Sequence, residues 1–165
     1  MNQNIEGQET QMEASHLFAF LMNQMQVKPE GGVNYSPLVL AYIGDAFYEL
    51  AVRTKVLSRG NASVDSLNHR ATNLSKAVTQ GKIARLLMEG DLTEEEVRVL
   101  KRGRNAHPVS TSRRAAIAEY HMATGYEALI GWHFVNDRAD RAMEIIALGF
   151  ARLEEAEKTA KGQNV

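Results

Sequence analysis

The chain predicts an all-α fold, and three observations carry that prediction. Apolar residues recur at helical spacing along most of its length, and no stretch sustains the period-two alternation of a strand. Several of the periodic segments also open on Ser or Thr residues suited to capping a helix. At 165 residues the chain is long enough for one domain with a proper core. We expect that domain over residues 11–158, between a polar and disordered segment at 1–10 and a polar tail at 159–165.

The elements follow in order. From Met12 to Val27, Leu17, Phe18, Phe20, Leu21, Met22 and Met25 define a helical apolar face, which Lys28-Pro29-Glu30-Gly31-Gly32 breaks. Ser36 can cap a helix from Pro37 to Leu57, with Pro37 where a missing N–H costs nothing. Its body is apolar on nearly every side, as expected of a helix buried mid-domain around which the chain is organised. A second long helix is expected over Val64 to Glu89, capped by Ser63 and bent near Gly81. Thr93-Glu94-Glu95-Glu96 is a capping box opening a helix to about Asn105, with acids in the first turn and Lys101, Arg102 and Arg104 at the end, as the macrodipole favours. A loop over residues 106–112 leads to a helix from about Arg113 to Val135, expected to break near Thr124-Gly125. A last helix runs from about Arg138 to Lys158.

Composition narrows the chemistry. Zero cysteines exclude disulfides, thiolate nucleophiles and Cys-held zinc, and fit a reducing cytoplasm. No apolar run approaches the ~18 residues of a membrane span, and the N-terminus lacks the pattern of a signal peptide. There is no phosphate-binding Gly-rich loop, no H-E-x-x-H and no Ser/His/Asp arrangement.

Two carboxylates stand out. Asp45 lies among Leu40, Ile43, Phe47 and Leu50, where burying a charge is costly without a cation or donors. Glu127 repeats the pattern within Tyr126-Glu127-Ala128-Leu129-Ile130-Gly131-Trp132. Acids on two separate helices suit Mg²⁺, which takes one or two carboxylates and keeps several waters. From the pattern alone, a helix cap or pairing with a nearby arginine is the commoner explanation of each acid. Glu49, one turn beyond Asp45, supports either that centre or a salt bridge to Arg53.

The third feature is basic. The net charge is only −1, yet Lys101, Arg102, Arg104, Arg113 and Arg114 occur in one segment with no acid between them. Asn105, His107 and the hydroxyls of Ser110, Thr111 and Ser112 add phosphate-binding capacity, so the segment reads as a polyanion contact or as a solvated helix end balanced by the acids before it. Asn68-His69-Arg70, His121 and His133 carry weaker signals, the first as an exposed helical face and the histidines as ordinary, partly buried ones.

Together these motifs resemble a known family. Leu40-Ala41-Tyr42-Ile43-Gly44-Asp45-Ala46 is similar to the signature helix of the ribonuclease III catalytic domain, and Tyr126-Glu127-Ala128-Leu129-Ile130-Gly131 to its second acidic motif. Lys101-Arg102-Gly103-Arg104-Asn105-Ala106 resembles the basic loop of the Mini-ribonuclease III subfamily, which has no double-stranded-RNA-binding domain. The likeness covers Tyr35 to Ile146. It departs from full-length ribonuclease III at Leu38, Ala41 and Thr124, where further acids are usual; Thr124 itself resembles the subfamily.

The resemblance implies a ribonuclease III helical fold and a Mg²⁺-dependent endoribonuclease that cuts double-stranded RNA, leaving 5′-phosphate and 3′-hydroxyl ends. It implies Asp45 and Glu127 as catalytic metal ligands, and Lys101, Arg102, Arg104, Asn105, His107, Arg113 and Arg114 as RNA contacts. It further implies a cytoplasmic homodimer acting on a precursor 23S ribosomal RNA stem, presented by a ribosomal protein or a pre-ribosomal subunit. The alternatives are a non-catalytic RNA-binding or ribosome-assembly module with the same fold, and an unrelated all-α interaction protein.

Overall fold

The computed structural model describes residues 15–28, 34–106 and 114–162. Among them every regular element is an α-helix: α1 (Leu17–Gln24), α2 (Pro37–Leu57), α3 (Val64–Ser75), α4 (Ala77–Leu87), α5 (Glu94–Arg104), α6 (Arg114–Val135) and α7 (Ala139–Gly162). The expectations for residues 1–10, and for most of the loop before α6, lie outside the described residues.

The centre of the fold is α6 rather than α2. It packs on α2, α4, α5 and α7, and its Tyr126, Leu129 and Ile130 are fully buried. Tyr48 and Val52 of α2, Ile83 and Leu87 of α4, and Ile145 and Ile146 of α7 close around them. Each such side chain removed from water contributes about 1.5–3 kcal/mol. By contrast, α2 keeps one face open, with Leu38, Val39, Tyr42, Leu50 and Leu57 all exposed. Its all-round apolar character therefore divides between a core face and an uncovered one.

The caps form as the residues require. Ser36 accepts from the Val39 N–H, Ser63 from the Ser66 N–H, and Thr93 and Glu96 form the reciprocal box at the start of α5. Of two expected breaks, one falls elsewhere and one is absent. The helix expected over 64–89 is broken at Lys76 (φ −60°, ψ 140°), not at Gly81. Side chains satisfy the carbonyls freed there: Thr79 Oγ1 donates to Asn73 O at 2.8 Å and Gln80 Nε2 to Ser75 O at 3.2 Å. No break occurs near Thr124-Gly125, because α6 runs unbroken and the Thr124 hydroxyl donates back to Tyr120 O at 3.0 Å. The last helix also extends past Lys158 to Gly162. At the other end, α1 stops at Gln24 rather than Val27 and is held by Phe18 against Phe134 and by the Ala19 N–H on Asp137 Oδ1.

Candidate active site

Two helix crossings build the site, and both depend on missing side chains. At the first, Gly44 of α2 meets Gly131 of α6. A Cβ on Gly44 would strike the Glu127 carbonyl oxygen, and one on Gly131 the Leu40 carbonyl oxygen. Backbone therefore lies against backbone, and Asp45, next to Gly44, is brought beside Glu127. At the second, Gly103 of α5 faces Gly125 of α6. A Cβ on Gly103 would lie 2.6 Å from Ala128 Cβ, and one on Gly125 would lie 3.0 Å from Arg104 N. The basic end of α5 is thus seated within a turn of Glu127.

The two acids differ in setting. Asp45 is exposed, so the costly burial expected of it does not occur; open solvent beside Tyr42 and Ala46 meets its carboxylate. Partial desolvation, then the charge of Glu49, raises its pKa. Glu127 is the half-buried partner: burial first, and then the Asp45 charge, push it up to about 7, opposed by a hydrogen bond from Gln80. Glu49 takes the salt-bridge alternative, 3.2 Å from Arg53 Nε.

A divalent cation fits this donor set. The Asp45 charge makes ionising Glu127 costlier, and a positive ion between the two would relieve that cost. Among the described residues no group of three or more His, Cys, Asp or Glu side chains forms a metal cage. Two carboxylates with an open side toward water are the kind of site Mg²⁺ uses.

The basic residues divide. Lys101, Arg102 and Asn105 are exposed at the end of α5, and half-buried Arg104 donates from Nε to Asn105 Oδ1 at 3.1 Å. Arg114 opens α6, but its side chain, like His107 and Arg113, lies outside the described residues.

Sequence reasoning missed two buried polar groupings, one of them beside the site. Gln80, only 2% exposed, reaches Glu127 from α4 and ties it to the Lys76 break. A single buried Gln leaves no trace in apolar periodicity. The other is Glu96, read as a cap alone. Its carboxylate is also buried against His133 Nε2 at 2.9 Å and held through both oxygens by Arg141, at 2.9 and 3.0 Å. The box Glu was legible, but the distant His133 and Arg141 that meet it were not.

An all-helical domain with a carboxylate pair at a glycine-lined crossing and cations beside it is a nuclease-type site, and residues 38–138 match the ribonuclease III domain. The chain is 35% identical over 139 residues to a Mini-ribonuclease 3 of Thermoanaerobacter sp. (strain X514), covering 84% of this chain and 97% of that one. It is 42% identical over 110 residues to a Mini-ribonuclease 3 of Symbiobacterium thermophilum, covering 67% and 84% respectively. A crystal structure of a protein from Fusobacterium nucleatum superimposes with a TM-score of 0.62 at 30% identity, covering 72% of this chain and 93% of that one. The chain therefore belongs to the ribonuclease III family, in its Mini-ribonuclease 3 branch, and is an endoribonuclease. No described helix is long and apolar enough to cross a membrane.

Proposed function

We propose that the protein is a Mg²⁺-dependent endoribonuclease that hydrolyses phosphodiester bonds in double-stranded RNA. The observation that carries this reading is the meeting of Asp45 and Glu127 at the Gly44–Gly131 crossing, with the basic end of α5 alongside.

Asp45 and Glu127 would hold the ion, Asp45 from the solvent side and Glu127 from within, with Gln80 fixing the Glu127 carboxylate. When bound, Mg²⁺ supplies Lewis acidity toward a phosphoryl oxygen and acidifies water at the site. Lys101, Arg102, Arg104 and Asn105 grip phosphates, together with His107, Arg113 and Arg114 of the following segment. Such side chains suit an A-form duplex, which is recognised largely through its phosphates and 2′-hydroxyls. Breaking the bond between phosphorus and the 3′-oxygen leaves 5′-phosphate and 3′-hydroxyl ends.

The open face of α2 supports a homodimer. Leu38, Val39, Tyr42, Leu50 and Leu57 are apolar and exposed on the helix that carries Asp45, so a second copy seated there would bring two sites together. The natural substrate we propose is a stem of precursor 23S ribosomal RNA in the cytoplasm, presented by a ribosomal protein or a partly assembled subunit.

The test is cleavage of a long labelled duplex with and without Mg²⁺, wild type beside Asp45→Asn. Cutting that requires Mg²⁺ and disappears in a folded Asp45→Asn variant is expected. Duplex binding by the wild type without cleavage, on a ribosomal precursor stem as well, would replace this reading with that of a non-catalytic module.

A further inference from the structure

A cavity of about 350 Å³ opens between the C-terminal half of α2, the α3–α4 break and α7, and neither Asp45 nor Glu127 lines it. Val56 of α2 lies about 16 Å along its helix from Asp45 at ~1.5 Å per residue. Its walls have two characters. Val56, Leu74, Val78, Phe150 and Leu153 make an apolar floor, while Arg59, Arg70 and Lys82 approach from three different elements.

Some cations of this molecule are ion-paired and others, such as Lys76, Lys101 and Arg102, are not. Arg53, Arg85, Arg98, Arg141 and Arg152 each have a carboxylate partner. Among the described residues, Arg59, Arg70 and Lys82 have none within ion-pair distance. Two acids stand at the rim, Glu154 and Glu157. Glu154 is already taken by Lys55, at 3.1 Å, while the Lys55 ammonium also lies 5.2 Å from the Phe150 ring centre. Its carboxyl is held below the ordinary value by Lys55, and further by Lys158 and Arg59, so the field at this mouth is positive even beside an acid.

Lys55, Arg59, Arg70 and Lys82 against Glu154 and Glu157 leave this lining with an excess of positive charge, and like charges repel one another unless an anion joins them. The apolar floor distinguishes this cavity from a bare phosphate groove, and its volume is within the range that holds a small organic ligand. We propose that this cavity is a second binding site, taking a nucleoside phosphate with the phosphate on Arg59, Arg70 and Lys82 and the nucleoside against the apolar floor. Two sources share that chemistry, a free mononucleotide and a terminal or unpaired nucleotide of an RNA strand. The site does not depend on Asp45, Glu127 or cleavage, and its test uses none of them.

The experiment is a titration of the ¹⁵N-labelled full chain, followed by amide shifts, with adenosine 5′-monophosphate, adenosine and inorganic phosphate in turn. Saturable shifts confined to the Val56–Arg59, Arg70–Thr79 and Phe150–Leu153 walls are expected for the monophosphate. Adenosine or phosphate alone should bind at least about tenfold more weakly, as should the monophosphate to an Arg70→Gln, Lys82→Gln variant that retains its helical spectrum. A duplex with a single-stranded end that displaces the monophosphate would identify RNA as the source, and failure to displace it a free nucleotide. No saturable shifts at these walls would overturn the proposal. So would phosphate binding as tightly as the monophosphate, which would mark an adventitious ion only, or an affinity unaffected by the double variant.

Discussion

Gly44→Ala probes the crossing on which the active site is built. The added methyl would lie against the Glu127 carbonyl oxygen, 2.7 Å from Gly131 N and 2.9 Å from Glu127 C. All three atoms are backbone, so no side chain can rotate away. Ordinary contact needs about 3.5 Å, and the two helices must therefore part by roughly 1 Å. Overpacking of this kind costs ~1–3 kcal/mol, while replacing Gly by Ala in a helix returns ~1 kcal/mol. The net loss of stability should be at most about 2 kcal/mol, read as a lower midpoint in urea unfolding. Activity should suffer far more, because the same displacement carries Asp45 away from Glu127; an error of ~1 Å in a catalytic group can cost ~100-fold. The assay is single-turnover duplex cleavage at saturating Mg²⁺, well below the unfolding temperature. Gly162→Ala, where an added methyl meets nothing, is the matched control. A Gly44→Ala enzyme as stable and as fast as wild type would refute the argument that backbone contact at this crossing sets the site.

Two further outcomes follow from the charges. Acid should unfold the protein in two overlapping stages. Burial first, and then Arg138, lower the pKa of His133 to about 4, against an ordinary 6.5. Burial pushes the Glu96 carboxyl up, but the Arg141 and Thr93 bonds override it and hold it at about 2, against 4.5. In both cases the unfolded chain binds a proton that the folded chain refuses, so stability falls as pH drops: from 6.5 to about 4 for His133, and from 4.5 to about 2 for Glu96. At ~1.4 kcal/mol per pH unit each stage amounts to roughly 3 kcal/mol. His133→Gln should remove most of the loss above pH 4.5 in denaturant titrations, and an unchanged profile would reject the assignment. Separately, Arg104→Ala should weaken duplex binding and reduce the salt slope by about one, and a wild-type slope would remove Arg104 from the interface.

What the sequence made legible was local. Ser36, Ser63 and the Thr93–Glu96 box could be read because each cap bonds a backbone group within a few residues. Gly44, Gly103, Gly125 and Gly131 could not be understood that way. Gly125 resembles a helix breaker along the chain, yet its use is to admit Arg104 and the Leu100 carbonyl of another helix. The same limit hid the environment of the two acids. Their neighbours in sequence are apolar for both, but only Glu127 faces inward, while Asp45 shares the exposed side of α2 with Tyr42. Gln80, His133 and Arg141 acquire their roles from partners more than thirty residues away, Glu127 for the first and Glu96 for the others.

The central claim is that Asp45 and Glu127 act as one centre. Single-turnover cleavage should be measured for Asp45→Asn, Glu127→Gln and the double variant across a Mg²⁺ series. Groups that act as a unit lose nearly all activity on the first removal, so the double variant should be no slower than the slower single one, and none should respond to added Mg²⁺. Losses that multiply in the double variant, or a Glu127→Gln enzyme with wild-type Mg²⁺ dependence, would contradict the account.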